Sequence, residues 1–91
     1  MDIKLGQIVC SKAGRDKGKK FVVIEIIDNN FVMVADGNLR RLERPKKKRI
    51  KHLDLTEQVI EQLEFKLQNK LKVSNSELRK ALAAAEGTMQ A

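Results

Sequence analysis

Apolar positions in the first half of the chain come in short blocks. "QIVCS" (residues 7–11), "FVVIEII" (21–27) and "FVMVA" (31–35) are rich in β-branched residues and separated by polar stretches. That is the pattern of strands joined by hairpins. The second block is apolar at successive positions until Glu25, which predicts a strand buried on both faces that opens to water at Glu25. Asp28, Asn29 and Asn30 tolerate the left-handed backbone of a tight hairpin, and Asp36 with Gly37 closes the return strand. A longer loop over residues 38–48 follows. Pro45 excludes a helix through it, and "RIKHL" (49–53) reads as the last strand.

After residue 53 the period changes. Val59, Ile60, Leu63, Leu67 and Leu71 fall at helical spacing. Asp54 or Thr56 is the expected start, with Glu57 three residues after Asp54 as in a capping box. Phe65 falls on the opposite face, and the pattern gives no account of it. Ser74 and Glu77 form a better capping box before a second stripe of Leu78, Ala81, Leu82 and Ala85. "EGTMQA" reads as a frayed end. The expected class is mainly β with C-terminal α: a strand-rich unit over residues 1–55 and one or two helices over 56–91, packed on or beside it.

Charge follows the same division. Residues 1–53 carry 14 Lys or Arg against 6 Asp or Glu, and residues 54–91 carry 5 against 6, for a chain of net charge +7. A basic surface confined to one part of a 91-residue chain points to a polyanion, nucleic acid before an anionic membrane. Phe21, Phe31 and Phe65 are the only aromatic residues, which argues against a protein that stacks many single-stranded bases. The lone Cys10 has no internal disulfide partner, which fits a reducing compartment. The first ten residues hold no apolar signal region, and the longest near-continuous apolar run falls far short of a membrane span.

The positive charge lies in two blocks. "SKAGRDKGKK" brackets three residues with Gly14 and Gly18, which permit a tight turn. Asp16 is expected to fold back on backbone amides as an Asx-turn and shape the loop. Lys12, Arg15, Lys17, Lys19 and Lys20 then project outward to meet phosphates. The block is not a P-loop: its glycines are one residue too close, and Lys20 stands where a magnesium-binding hydroxyl is needed. In "RRLERPKKKRIK" eight of twelve positions are cationic, among them Arg40, Arg41, Arg44, Lys46, Lys47, Lys48 and Arg49. A nuclear-import signal competes for "KKKR", but the block runs into an expected strand. His52 has no cluster of Cys, His and acids around it to hold a metal. Cys10 lacks a partner for redox or nucleophilic work, and no carboxylate pair is set for acid–base chemistry. No catalytic residue, metal or cofactor is expected.

The arrangement resembles the KOW motif of ribosomal proteins and transcription elongation factors. The shared features are Gly6 and Val9 at the strand start, a basic loop with Gly14, Lys17, Gly18 and Lys19, and a valine–isoleucine strand. Many KOW motifs carry a further glycine where this chain has Phe21, which leaves the ribosomal type, often apolar there. With its continuation "VVIEIIDNNFVMVADG", the stretch over residues 3–55 is similar to the L14e family of large-subunit ribosomal proteins and its small bacterial relatives. The resemblance implies a small SH3-like β-barrel that binds RNA, in particular ribosomal RNA, without catalysis. A ribosome-associated RNA-binding protein of the cytoplasm is the resulting expectation. An adaptor that docks a protein through the barrel and the C-terminal helices is the alternative from another class, and a sequence-independent DNA binder is a third.

Overall fold

A computed structural model describes residues 3–90, with side chains through residue 85. The strands are β1 (Gln7–Ser11), β2 (Lys20–Ile26), β3 (Phe31–Ala35), β4 (Lys46–Arg49) and β5 (Leu53–Val59). A single 3₁₀ turn, Ile50–His52, separates the last two. Helices α1 (Glu61–Gln68) and α2 (Asn75–Gln90) follow. The strands form one antiparallel sheet in the order β4-β3-β2-β1-β5. The expected class, β followed by C-terminal helices, holds.

Both faces of the sheet are covered, and this explains the unbroken apolar run in β2. Phe21 and Val23 pack with Val9, Val32, Val34 and Leu53 on one side. Val22 turns the other way, onto Ala35 and the helix residues Leu63 and Leu78. Glu25, where the run was expected to open, is exposed, as are Ile26 and Ile27 beyond it.

Four local expectations change. The 28–30 hairpin uses no left-handed residue, since Lys70 is the only described non-glycine with positive φ. Asp28 builds the turn with its side chain, its Oδ1 accepting from the N–H of Asn30 and Phe31 at 2.7 and 2.9 Å. The cationic stretch expected to be loop forms edge strand β4, with Lys46, Lys47, Lys48 and Arg49 opposite Val34, Met33, Val32 and Phe31. Lysine suits an edge because its charge discourages further strand pairing while its stem covers apolar surface.

"RIKHL" is therefore not a single strand. Arg49 ends β4, and Leu53 begins β5. β5 in turn occupies the residues expected to open the first helix. Leu53 and Leu55 alternate with Asp54 and pack on the inner core, so the period of two prevails over the helical spacing of Val59 and Ile60. Thr56 is no cap: its hydroxyl donates to the Ile8 carbonyl at 2.6 Å and accepts from Gln58 N–H at 3.2 Å. α1 starts at Glu61 without a side-chain cap, and Leu71 lies beyond it, half exposed.

The second capping box is present. Glu77 N–H donates to Ser74 Oγ at 3.1 Å, and Ser74 N–H reaches Glu77 Oε1 at 3.4 Å. Leu78 and Ala85 are buried, with Ala81 and Leu82 partly so. The stretch expected to fray after Ala85 continues α2 as helix through Gln90. The start of α2 docks tightly on the 36–43 loop. Gly37 has φ 78°, and a side chain there would strike the Asn75 carbonyl. Asn75 Oδ1 accepts from Leu42 N–H at 2.8 Å, its amide donates to Glu43 at 2.7 Å, and Arg79 donates to the Gly37 carbonyl at 2.6 Å.

Candidate nucleic-acid interface

The β1–β2 connection is two tight turns on the end of the ladder. Gly18 N–H donates to the Ser11 carbonyl at 2.7 Å, and Ser11 N–H to the Lys19 carbonyl at 2.9 Å. Gly14 and Gly18 have φ of 76° and 87°, and a side chain at either would meet nothing within 4 Å. These glycines serve the backbone path alone.

Asp16 does something other than the expected Asx-turn. It is buried, with only 6% of its side chain accessible, and gathers four cations. Lys46 Nζ lies 2.9 Å from the carboxylate, Arg40 Nη2 3.5 Å, and Lys19 and Lys48 Nζ each 3.9 Å. The Lys46 hydrogen bond holds the carboxyl below its ordinary value of 3.8 against the opposing effect of burial, and the charges of Lys46, Arg40 and Lys48 add to it. One acid thus joins the glycine loop, Arg40 and β4. One negative charge among four positive ones leaves the cluster at +3, so the acid collects positive charge without cancelling it.

The alternation of β4 assigns its cations to two sides. Lys48 is buried, and its ammonium donates to Ser11 Oγ at 3.0 Å; Ser11 Oγ in turn donates to the Ala13 carbonyl at 3.0 Å. Lys48 supports the loop from beneath. Lys47 and Arg49 point the other way and are exposed, over the ring of Phe31 at 4.5 and 5.2 Å from its centroid. Arg15, Lys17, Lys19 and Arg44 are exposed, and Lys20 is half-buried. Lys12 lies 3.7 Å from Asp54, and Arg41 3.3 Å from Glu43, both pairs open to solvent, where such pairs hold a side chain weakly.

Three features were not legible in advance. Phe31 carries two cations. Arg79, from the near-neutral half, is anchored beside the 36–40 loop. Glu77 joins the helices, pairing with Lys66 at 2.8 Å; that hydrogen bond foremost lowers its carboxyl. His52 is exposed on the 3₁₀ turn and Cys10 half-buried in β1. Among the described residues no group of three or more His, Cys, Asp or Glu could hold a metal, and no helix is long and apolar enough to cross a membrane.

No family model matches the chain. Curated proteins do. The large ribosomal subunit protein eL14 of Desulfurococcus amylolyticus is 38% identical over 58 residues, 64% of this chain and 60% of that protein. The protein of the same name from Metallosphaera sedula is 36% identical over 59 residues, 65% and 62% of the two chains. That of Pyrobaculum calidifontis is 31% identical over 83 residues, 91% of this chain and 74% of the relative. The match thus spans about three fifths of the first two relatives and extends into the helical half in the third.

Proposed function

The chain belongs to the family of the large ribosomal subunit protein eL14, and from that premise we propose that it is a non-enzymatic protein that binds structured RNA, in the first place ribosomal RNA, through phosphates. The observation that carries the reading is the Asp16 cluster. Two basic blocks with nineteen residues between them in sequence meet at one buried carboxylate, which makes a single positive surface of fixed shape.

The exposed and half-buried cations take the phosphates in this reading: Lys12, Arg15, Lys17, Lys19 and Lys20 from the glycine loop, Arg40, Arg41 and Arg44 from the second loop, and Lys46, Lys47 and Arg49 from β4. Lys48 sets their position from below. Arginine can grip a phosphate with two parallel N–H groups, and lysine acts as a point charge. Phosphates already ordered by RNA structure favour a rigid surface, because little freedom is then lost on binding. A ribosomal role places the protein in the cytoplasm.

A salt-dependent titration tests this on a folded ribosomal RNA fragment, an unstructured strand of equal length and duplex DNA. The folded fragment should bind best, with affinity falling steeply in salt. A flat salt response contradicts the phosphate mechanism, and preference for the single strand contradicts the structured-RNA reading. One observation favours docking of a protein through the helical half: Phe65 in α1 and Leu71 just beyond it remain 60% and 50% exposed. Such an apolar contact would resist salt, so the same titration separates the two.

A further inference from the structure

Lys47 and Arg49 stand apart from the Asp16 cluster, and their surroundings differ in kind. Arg49 lies opposite Phe31 in the β3–β4 pair, with its guanidinium 5.2 Å from the centre of the Phe31 ring. Lys47 reaches the same ring at 4.5 Å. An aromatic face beneath a guanidinium restrains it electrostatically. Beside Arg49 is a shallow pocket of about 250 Å³, lined by Asn29, Asn30, Arg49, Ile50 and Lys51.

The backbone around this pocket is tied down. Ile50 N–H donates to the Asn30 carbonyl at 2.8 Å, and Asn30 N–H donates to Asp28 at 2.7 Å. The side-chain amides of Asn29 and Asn30, in contrast, make no hydrogen bond among the described residues. The pocket therefore offers a flat cation backed by a ring, two uncommitted amides and the neighbouring charges of Lys47 and Lys51. A phosphate or a carboxylate would need only the charges. The plane and the amides suit a flat heterocycle with donors and acceptors on its edge.

We propose that this pocket takes one unpaired nucleobase of the bound RNA. The base stacks on the Arg49 guanidinium, the amides of Asn29 and Asn30 meet its edge, and Lys47 and Lys51 meet the flanking phosphates. The site rests on the RNA-binding reading above and adds a base contact to it. Arg49 lies three positions along β4 from Lys46 and on the other side of the strand, about 10 Å away along it, so an RNA that engages both the pocket and the Asp16 cluster wraps the β4 edge. The target is a structured RNA with a single-nucleotide bulge. A base inside a continuous helix has its faces covered by its neighbours.

Two hairpin RNAs test this, identical except that one carries a single bulged 2-aminopurine and the other is fully paired. Each is titrated with the full chain and with Arg49→Lys and Asn30→Ala, both at exposed positions. Melting curves confirm that the variants are folded. The wild-type chain should bind the bulged hairpin about tenfold more tightly, the scale of one base stacked on a side chain, with a change in 2-aminopurine fluorescence. Arg49→Lys keeps the charge and loses the plane. It should abolish the preference, read as the ratio of bulged to paired affinity within each protein, and with it the fluorescence change. Asn30→Ala should reduce the preference in part. Full preference retained by Arg49→Lys overturns the proposal. Equal, salt-dependent binding of both hairpins by the wild-type chain also overturns it and leaves the phosphate contacts standing. Absence of salt-dependent binding to either hairpin overturns both.

Discussion

Gly18 and Gly37 share a left-handed backbone, at φ 87° and 78°, for opposite reasons. Around Gly18 lies open space, whereas Gly37 is pressed against the first residue of α2. The glycine loop is held in shape by charge, through Asp16 and the cations around it. The seam between the 36–43 loop and α2 is held by close packing, with Leu78 buried beneath and Asn75 bonded on both sides of its amide. The charged region should therefore respond to salt, pH and charge-altering substitutions, and the seam to changes of volume.

The largest effect is expected at the seam. Gly37→Val introduces both an unfavourable φ and a backbone collision, and should cost at least about 3 kcal/mol. For a domain of this size that lowers the melting temperature by roughly 15 °C or more. Gly18→Val meets only the backbone penalty, about 1–2 kcal/mol. Asparagine sharpens the contrast, because it tolerates the left-handed region. Gly18→Asn should melt close to wild type, and Gly37→Asn should not. Equal melting temperatures for the two asparagine variants would erase the distinction.

Acid should loosen the charged region. The Asp16 carboxyl is held below 3.8 in the folded chain, so its contribution is complete above the ordinary carboxylate value and is lost as pH falls through the lower, folded one. Stability measured from pH 6 down to pH 2 should decline below about pH 4. In Asp16→Asn that part of the decline should be missing. An unchanged acid profile in the variant would show that the cluster does not contribute to stability in this way. The smallest effect belongs to single exposed cations. Arg15→Ala should leave the melt within about 0.5 kcal/mol of wild type and lower the slope of log affinity against log salt by roughly 0.7–0.9. Full retention of the slope would remove Arg15 from the contact surface.

Much of this was legible in the chain. The strands at 7–11, 20–26 and 31–35 follow from β-branched blocks, and the second helix from Ser74, Glu77 and its stripe. The glycine–lysine loop was visible as a turn. What escaped has physical causes. β4 is cationic at every position, so its period of two shows only in which lysine is buried, and that depends on Asp16 being within reach. β5 was obscured because Val59, Ile60 and Leu63 match a helical period by position while pairing with β1 decides the strand. Asp16 read as a local turn residue because nothing in the sequence reveals that Lys46, thirty residues on, will lie 2.9 Å away. Long-range pairing of this kind also hid the role of Phe31, whose value lies in its neighbours across the sheet.

Whether Asp16 organises the basic surface is decided by the RNA affinity of Asp16→Asn. The substitution is nearly isosteric and raises the net charge by one. If positive charge alone set affinity, the variant would bind a folded RNA more tightly at low salt. If the carboxylate holds Arg40, Lys46 and the glycine loop in register, it should bind severalfold more weakly, with less preference for folded over unstructured RNA. The titration is made at a temperature where melting curves show both proteins folded. Weaker binding with the preference reduced is expected; tighter binding with the preference intact would show that Asp16 does not hold the cations in register.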